Sequence, residues 1–243
     1  MATIQEIADD IKSKKSLSDI DDSFLKARIL ENLEKYKIDL SEDFNKLKKK
    51  NRYGEFFKEI RKLLRKVYGV YRELAEPRSK SIYKEIHKKI GNFNSLLDVG
   101  CGKSPLGYIE VFGKDKTYYL TDISKESIEE ISSYMKKNKI KGKTFIFNAY
   151  DNYKENLPKA DITFLFRVLE SLETLKKGSS EKLFKNLNSK TILVSFSKVA
   201  LGHNEEIKKK GRSWFRRMLS KNNYTFEDFD IEDEIFFLVK KQN

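Results

Sequence analysis

A short apolar run ending in an acid, a double-glycine turn and a proline leave few folds open to a chain. Residues 96–106, Leu-Leu-Asp-Val-Gly-Cys-Gly-Lys-Ser-Pro-Leu, contain all three. Read as strand, turn and helix, the stretch opens a βαβ unit. Gly100 and Gly102 let the backbone bend sharply and approach a ligand closely, and Pro105 suits a helix start. From residue 95 onward, short β-rich runs alternate with helical or turn-like segments, the pattern of a mostly parallel sheet covered on both faces. The candidate strands are 95–100, 117–122, 143–148, 161–166 and 190–196, and "YTFEDFDIEDEIFFLVKK" reads as two longer strands joined by an acidic turn. A dinucleotide turn wants a third glycine where this chain has Pro105, so the turn points to a different cofactor.

The acids narrow the choice. Asp98 lies on the strand before the turn, where it can accept from the loop or from a cationic ligand group. Asp122, 24 residues later, ends the next strand, where it faces an adenosine ribose and can take both hydroxyls as donors. Asp151, in "FNAYDNY" after the following strand, is placed to accept from an adenine amino group, with Tyr150 as an apolar wall. Three acids at three successive strand ends point to S-adenosylmethionine, which has no pyrophosphate and needs no third glycine. A parallel sheet closed by an antiparallel C-terminal strand is the order of class I methyltransferases. The expected fold is therefore α/β, a Rossmann-like seven-stranded core behind a small all-helical N-terminal domain. The single Cys101 excludes an intrachain disulfide and sits inside the cofactor turn, where it serves as a wall and not as a nucleophile. No metal site is expected, because His87 and His203 are far apart and His87 reads as a helix-surface residue.

The N-terminal 90 residues are different in texture. Apolar residues recur at helical spacing in "DDSFLKARILENLEKY", with Phe24, Leu25, Ile29, Leu30 and Leu33 behind Asp22 or Ser23 as cap. The pattern repeats at Phe56, Phe57, Ile60, Leu63, Leu64 and Val67. Residues 1–76 are read as a helical RNA-binding domain and 77–243 as the catalytic domain. The chain carries 50 Lys and Arg against 37 Asp and Glu, a formal +13, which makes a polyanion the first partner to consider. That charge is uneven. Residues 1–44 hold 7 Lys/Arg against 11 Asp/Glu, residues 45–72 hold 11 against 2, and residues 205–221 hold 7 against 2. The two basic stretches supply candidate phosphate contacts: Lys48, Lys49, Lys50, Arg52, Arg61 and Arg65 in the first, Lys208, Lys209, Lys210 and Arg212 in the second. The aromatic residues among them, at helical spacing, are more often core than stacking platforms. No apolar run is long enough for a membrane span and no signal peptide is evident, so a cytoplasmic monomer is expected.

Several motifs carry a family likeness. Asp98-Val-Gly-Cys-Gly-Lys-Ser-Pro-Leu106, Phe166-Arg-Val-Leu-Glu-Ser-Leu-Glu173, Ser195-Phe-Ser-Lys-Val-Ala-Leu-Gly202, Trp214-Phe215 and the closing "FFLVKK" resemble the FmrO-type aminoglycoside-resistance 16S rRNA (guanine-N7) methyltransferases. The resemblance covers roughly residues 70–243. It implies a helical domain before a Rossmann-like core, S-adenosylmethionine as methyl donor, and a guanine of the decoding site in the small ribosomal subunit as target. It also implies that Arg78 binds the methionine carboxylate, the pairing an arginine suits best. Here "LAEPRSKS" lacks the family's Ser-Thr and Glu around that arginine; the alternative is an exposed arginine at a helix start. Ile123 and Phe166 complete the cofactor set. Arg167 replaces the family's lysine and Glu170 a proline.

No residue stands out as a certain catalytic group. Substrate positioning falls to Arg167, Ser195, Phe196 and Lys198, the last three together with Ser197 on the loop after the fifth strand. Phe196 either stacks on a flipped guanine or packs beneath the loop. Guanine N7 carries no proton, so direct displacement needs no general base. Three alternatives stay open: a methyltransferase for tRNA or another rRNA site, an RNA-binding module without catalysis, and a small-molecule methyltransferase.

Overall fold

A computed structural model describes residues 1–65, 67, 78–199 and 212–241. The chain divides into two compact units, Met1–Leu74 with Ile123–Lys125, and Ala75–Asp122 with Glu126–Asn243.

The first unit is helical. Helix α1 (Ile4–Lys12) opens on a capping box in which the Thr3 hydroxyl accepts from the Glu6 amide and the Glu6 carboxylate accepts from the Thr3 amide. Helix α2 (Asp22–Leu33) is capped by Asp21, which accepts from the Ser23 and Phe24 amides; the cap is thus one residue ahead of the expected Asp22 or Ser23. A short α3 (Phe44–Lys48) leads into α4 (Asn51–Leu64). Tyr53, Phe56, Ile60 and Leu64 recur every three or four residues on α4, and all are buried with Ile7, Ile11, Leu25 and Ile29. Leu30, expected in this core, is 57% exposed, because it falls one position past the buried stripe of α2. Residues 123–125 join this unit through backbone bonds: the Ile123 carbonyl accepts from the Asp21 amide and the Lys125 amide donates to the Asp19 carbonyl.

The second unit is the expected doubly wound sheet. Its strands are β1 (Ser95–Val99), β2 (Thr117–Asp122), β3 (Lys141–Ile146), β4 (Ile162–Phe166), β5 (Thr191–Ser197), β6 (Thr225–Ile231) and β7 (Glu234–Lys240), in the order β3-β2-β1-β4-β5-β7-β6. Five strands run parallel and the C-terminal hairpin is antiparallel. Every residue of β4 is buried, and so are the last four of β1, as a strand covered on both faces demands. The edge strands β3 and β6 carry the charged and exposed positions, which blunts them against further pairing. The flanking helices among the described residues are α5 (Lys80–Ile90), α6 (Pro105–Phe112), α7 (Lys125–Lys137), α8 (Val168–Leu175), α9 (Ser179–Asn186) and α10 (Ser213–Lys221). None is long and apolar enough to cross a membrane.

Two consequences of this topology place the site. Strand order reverses at β1, whose neighbours are β2 on one side and β4 on the other, so a crevice opens outside their C-terminal ends. Strand β7 runs against β5 with Glu234 opposite Ser197, so the first residue of β7 lies at the same rim as the last residues of the parallel strands.

Candidate cofactor site

The glycine turn is pinned from beneath. The Gly100 and Cys101 amides both donate to the Thr121 carbonyl, at 2.8 and 2.9 Å, and the Gly102 amide donates to Asp122 Oδ2 at 2.8 Å. These bonds tie the turn after β1 to the end of β2. Both glycines have positive φ, +74° at Gly100 and +49° at Gly102. A Cβ on Gly100 would come within 2.6 Å of Val168 at the start of α8, whereas one on Gly102 would project into open space. The first glycine therefore lets α8 pack close, and the second leaves the backbone open to a ligand.

Asp98 is fully buried below the turn. Its Oδ2 accepts from the Tyr108 hydroxyl at 2.9 Å, while Oδ1 has no hydrogen-bond partner among the described residues. Burial pushes its carboxyl up to about 7, with Asp122 adding to the rise and Tyr108 and Arg78 opposing it. Burial, reinforced by Asp98 and Asp122, also drives the Cys101 thiol far above its ordinary value. A thiol so held is not an available nucleophile, in keeping with its reading as a wall of the turn.

Arg78 is no exposed helix-start arginine. Its Nε and Nη2 donate to the two carboxylate oxygens of Glu234 at 2.6 and 2.9 Å, its Nη1 donates to Ser104 Oγ at 3.2 Å, and the guanidinium lies over the Phe166 ring at 4.8 Å. Phe166 is itself buried, stacked on Phe164 and edge-on to Phe236, so it supports Arg78 from below. Arg167 takes a left-handed backbone at the cap of α8, with φ 60°, and its Nη2 reaches Glu234 Oε1 at 3.0 Å. One acid thus holds two arginines from different elements, Arg78 ahead of α5 and Arg167 at the end of β4. Burial alone would raise the Glu234 carboxyl, but Arg78, with help from Arg167, holds it below the usual carboxylate range. Neither Glu234 nor Ser104 was among the expected site residues. The acidic turn in "DIEDEIFF" was the available signal, because an acid that opens an antiparallel last strand faces the rim where parallel strands end.

On the β3 side, Asn148 supplies a second unanticipated element. Its Oδ1 accepts from the Tyr150 and Asp151 amides, and its Nδ2 donates to Asp151 Oδ2 at 2.5 Å, which fixes the turn that presents both residues. Tyr150 is half-buried and Asp151 exposed. Ile123 lies in the segment grouped with the helical unit.

The fifth strand changes two expectations. Ser195, Phe196 and Ser197 belong to β5 and not to a loop, because pairing with β7 continues to Ser197. Phe196 is fully buried against Trp214, Phe215 and Phe237, so it packs under the rim and offers no face to a base. Lys198 follows the strand, its amide donating to the Asp233 carbonyl and its amine near Asp230. Arg212 is buried: it pairs with Glu170 at 2.5 Å and donates to the Ser197 carbonyl at 2.9 Å, which withdraws it from the expected phosphate contacts. Lys208, Lys209, Lys210 and His203 lie outside the described residues. His87 is half-buried against Phe93 and Phe112 instead of surface-facing.

Within the helical unit three of the six expected phosphate contacts already have acidic partners. Lys48 pairs with Asp10 at 2.7 Å, and Lys50 and Arg52 both pair with Glu42. Arg61 donates to the Asp10 and Ile11 carbonyls and to Ser13, closing the C-terminal end of α1, and lies over Phe57. Lys49 and Arg65 have exposed side chains.

A doubly wound sheet with an antiparallel final strand and a pinned glycine turn at the switch point defines a class I methyltransferase fold. Residues 92–235 match the methyltransferase domain family, and the chain belongs to it. It is 24% identical over 186 residues to the 16S rRNA (guanine(1405)-N(7))-methyltransferase of Micromonospora echinospora, across 75% of this chain and 67% of that protein. The enzyme of the same name from Micromonospora rosea is 24% identical over 167 residues, across 68% of this chain but only 60% of its own length. Among solved structures, the 16S rRNA methyltransferase RmtF in complex with S-adenosyl-L-homocysteine is similar in fold, with a TM-score of 0.74, 17% identity and 98% of both chains covered.

Proposed function

We propose that this protein is an S-adenosylmethionine-dependent methyltransferase acting on N7 of a guanine in 16S rRNA, within the decoding region of the small ribosomal subunit. The observation that carries the cofactor assignment is the pinned turn with Gly102 open to a ligand, flanked by Asp122 and by the cationic Arg78. The residues fit the cofactor part by part. Asp122 is placed for the ribose hydroxyls, Asp151 and Tyr150 for the adenine, and the Gly102 backbone lets the nucleoside lie close. Arg78 is set for the amino-acid carboxylate, and the open oxygen of Asp98 lies beneath the turn.

When bound, the cofactor supplies a sulfonium-activated methyl group. The chain's own contribution is alignment and water exclusion, because N7 of neutral guanine has a free lone pair and no proton to remove. The buried carboxyl of Asp98 and the high thiol of Cys101 are accordingly spared any acid–base duty. Base extrusion from the RNA brings guanine to the rim formed by Arg167 and the end of β5. Residues 1–76 are assigned to RNA recognition, with Lys49 and Arg65 as exposed candidates for phosphate contacts. Support for the RNA target comes from the two curated relatives, whose substrate this reading extends to the present chain. The same proposal includes a role in aminoglycoside resistance and a monomeric, cytoplasmic enzyme.

Transfer of a radiolabelled methyl group to isolated small subunits, large subunits and tRNA tests the proposal. Labelling of small subunits is expected. Labelling confined to tRNA or to large subunits contradicts it.

A further inference from the structure

Glu234 holds two arginines of the rim, and the way it holds them leaves a defined remainder. It takes Arg78 side-on, through Nε and Nη2, so the donor end that remains is Nη1, already directed to Ser104 Oγ beside Pro105 of the glycine turn. The guanidinium carbon lies over the Phe166 ring, 4.8 Å from its centre. Side-on pairing and this ring contact together restrict the orientation of Arg78. Arg167 meets the same Oε1 and keeps its buried Nε without a partner among the described residues. Two guanidiniums and one carboxylate sum to a single positive charge, which one further carboxylate would neutralise. Burial makes that balance count, since Glu234 is 4% exposed and little solvent screens the cluster.

From this geometry we infer that Glu234 is the positioning residue of the methyl-donor site: it orients Arg78 so that Nη1, with Ser104, receives the cofactor carboxylate. The inference rests on the cofactor reading above and adds to it a residue that contacts the arginine and not the ligand. It also explains why an arginine works at position 78 without the Ser-Thr and Glu that precede its counterpart in the resembling family. The acid that fixes it comes from β7, 156 residues away in sequence.

The test compares two ligands by isothermal titration calorimetry with the full chain. S-Adenosylhomocysteine carries the amino-acid tail, and 5′-methylthioadenosine has the same nucleoside and thioether without it. Wild type is expected to prefer S-adenosylhomocysteine. In Glu234→Ala the affinity for S-adenosylhomocysteine falls about tenfold or more while that for 5′-methylthioadenosine stays within about twofold, so the preference collapses. Glu234→Gln keeps the shape and one acceptor, folds if the alanine variant does not, and gives a smaller loss in the same direction. A merely structural role weakens both ligands alike and leaves the preference unchanged, which overturns the inference. A preference that rises overturns it as well, because Glu234 would then compete with the cofactor for Arg78. If wild type binds neither ligand, the cofactor reading itself is wrong and the inference goes with it.

Discussion

The basic stretch of the helical unit and the rim of the sheet unit use the same ion-pair chemistry in opposite ways. In the helical unit the basic stretch that follows residue 44 meets the acids that precede it: Lys48 reaches Asp10, and Lys50 and Arg52 share Glu42, with lysine and arginine side chains about two-fifths exposed. In the sheet unit Arg78 and Arg167 meet at a Glu234 side chain that is 5% exposed, and Arg212 meets Glu170 close by. Solvent-exposed pairs are screened and contribute roughly 0–1 kcal/mol each. Removing one partner of a buried pair strands the other and costs about 3–5 kcal/mol. Exposed pairing thus moderates the surface charge of the helical unit while leaving its fold to the packing of Phe56, Ile60 and their neighbours. Buried pairing fixes the geometry of a site.

The sharpest way to break this contrast is to remove one buried partner. Arg78→Met strands Glu234 beside Arg167 alone and is expected to lower the free energy of unfolding by about 3–5 kcal/mol, read as a drop in the urea midpoint. A loss below about 1 kcal/mol would place the buried cluster in the same class as the surface pairs.

A smaller effect is expected at Asp98, whose carboxylate accepts from Tyr108. Tyr108→Phe deletes that donor inside a closed core and should cost about 1–3 kcal/mol by the same measurement. Asp98 also gives a pH signature. Its folded value is raised to about 7 from an ordinary 3.8, so between those limits the unfolded chain releases its proton first and the native state binds more protons. Stability contributed by this group therefore falls as pH rises from about 4 to 7. Asp98→Asn should remove that slope, making the variant gain on wild type as pH increases through the window. Glu234, held below its usual value, acts with the opposite sign at lower pH, where acid removes its contribution.

The smallest effect belongs to the surface. Glu42→Gln unpairs Lys50 and Arg52 at once and should still change stability by no more than about 1 kcal/mol, a difference that fades in high salt. A larger, salt-resistant loss would show that the helical unit also relies on buried electrostatics.

How much of this could be seen in the sequence follows from the distance over which each feature acts. The strand segments, the antiparallel closing pair and the glycine turn are local signals: β2 spans 117–122 as its apolar pattern indicates, and β1 ends one residue short of the expected 100. The site's acids are visible because each keeps close to its own strand, Asp98 within β1, Asp122 at the end of β2 and Asp151 in the turn after β3. Glu234 is not, since its place at the rim depends on β7 inserting antiparallel between β5 and β6. Composition also counted the cations of residues 45–72 without their partners, and Lys48 finds Asp10 across 38 positions of chain. Phe196 shows a third kind of limit. A motif places it next to the substrate rim, but alternation along β5 turns its ring into the core, toward Phe215 and Phe237.

The reading of the whole molecule comes to a single chemical product. Small ribosomal subunits incubated with the protein and S-adenosylmethionine, then digested to nucleosides and analysed by mass spectrometry, should yield 7-methylguanosine in 16S rRNA that is absent without the protein. Small subunits that remain unmodified, or that gain a methyl group on a base other than guanine, would contradict the account.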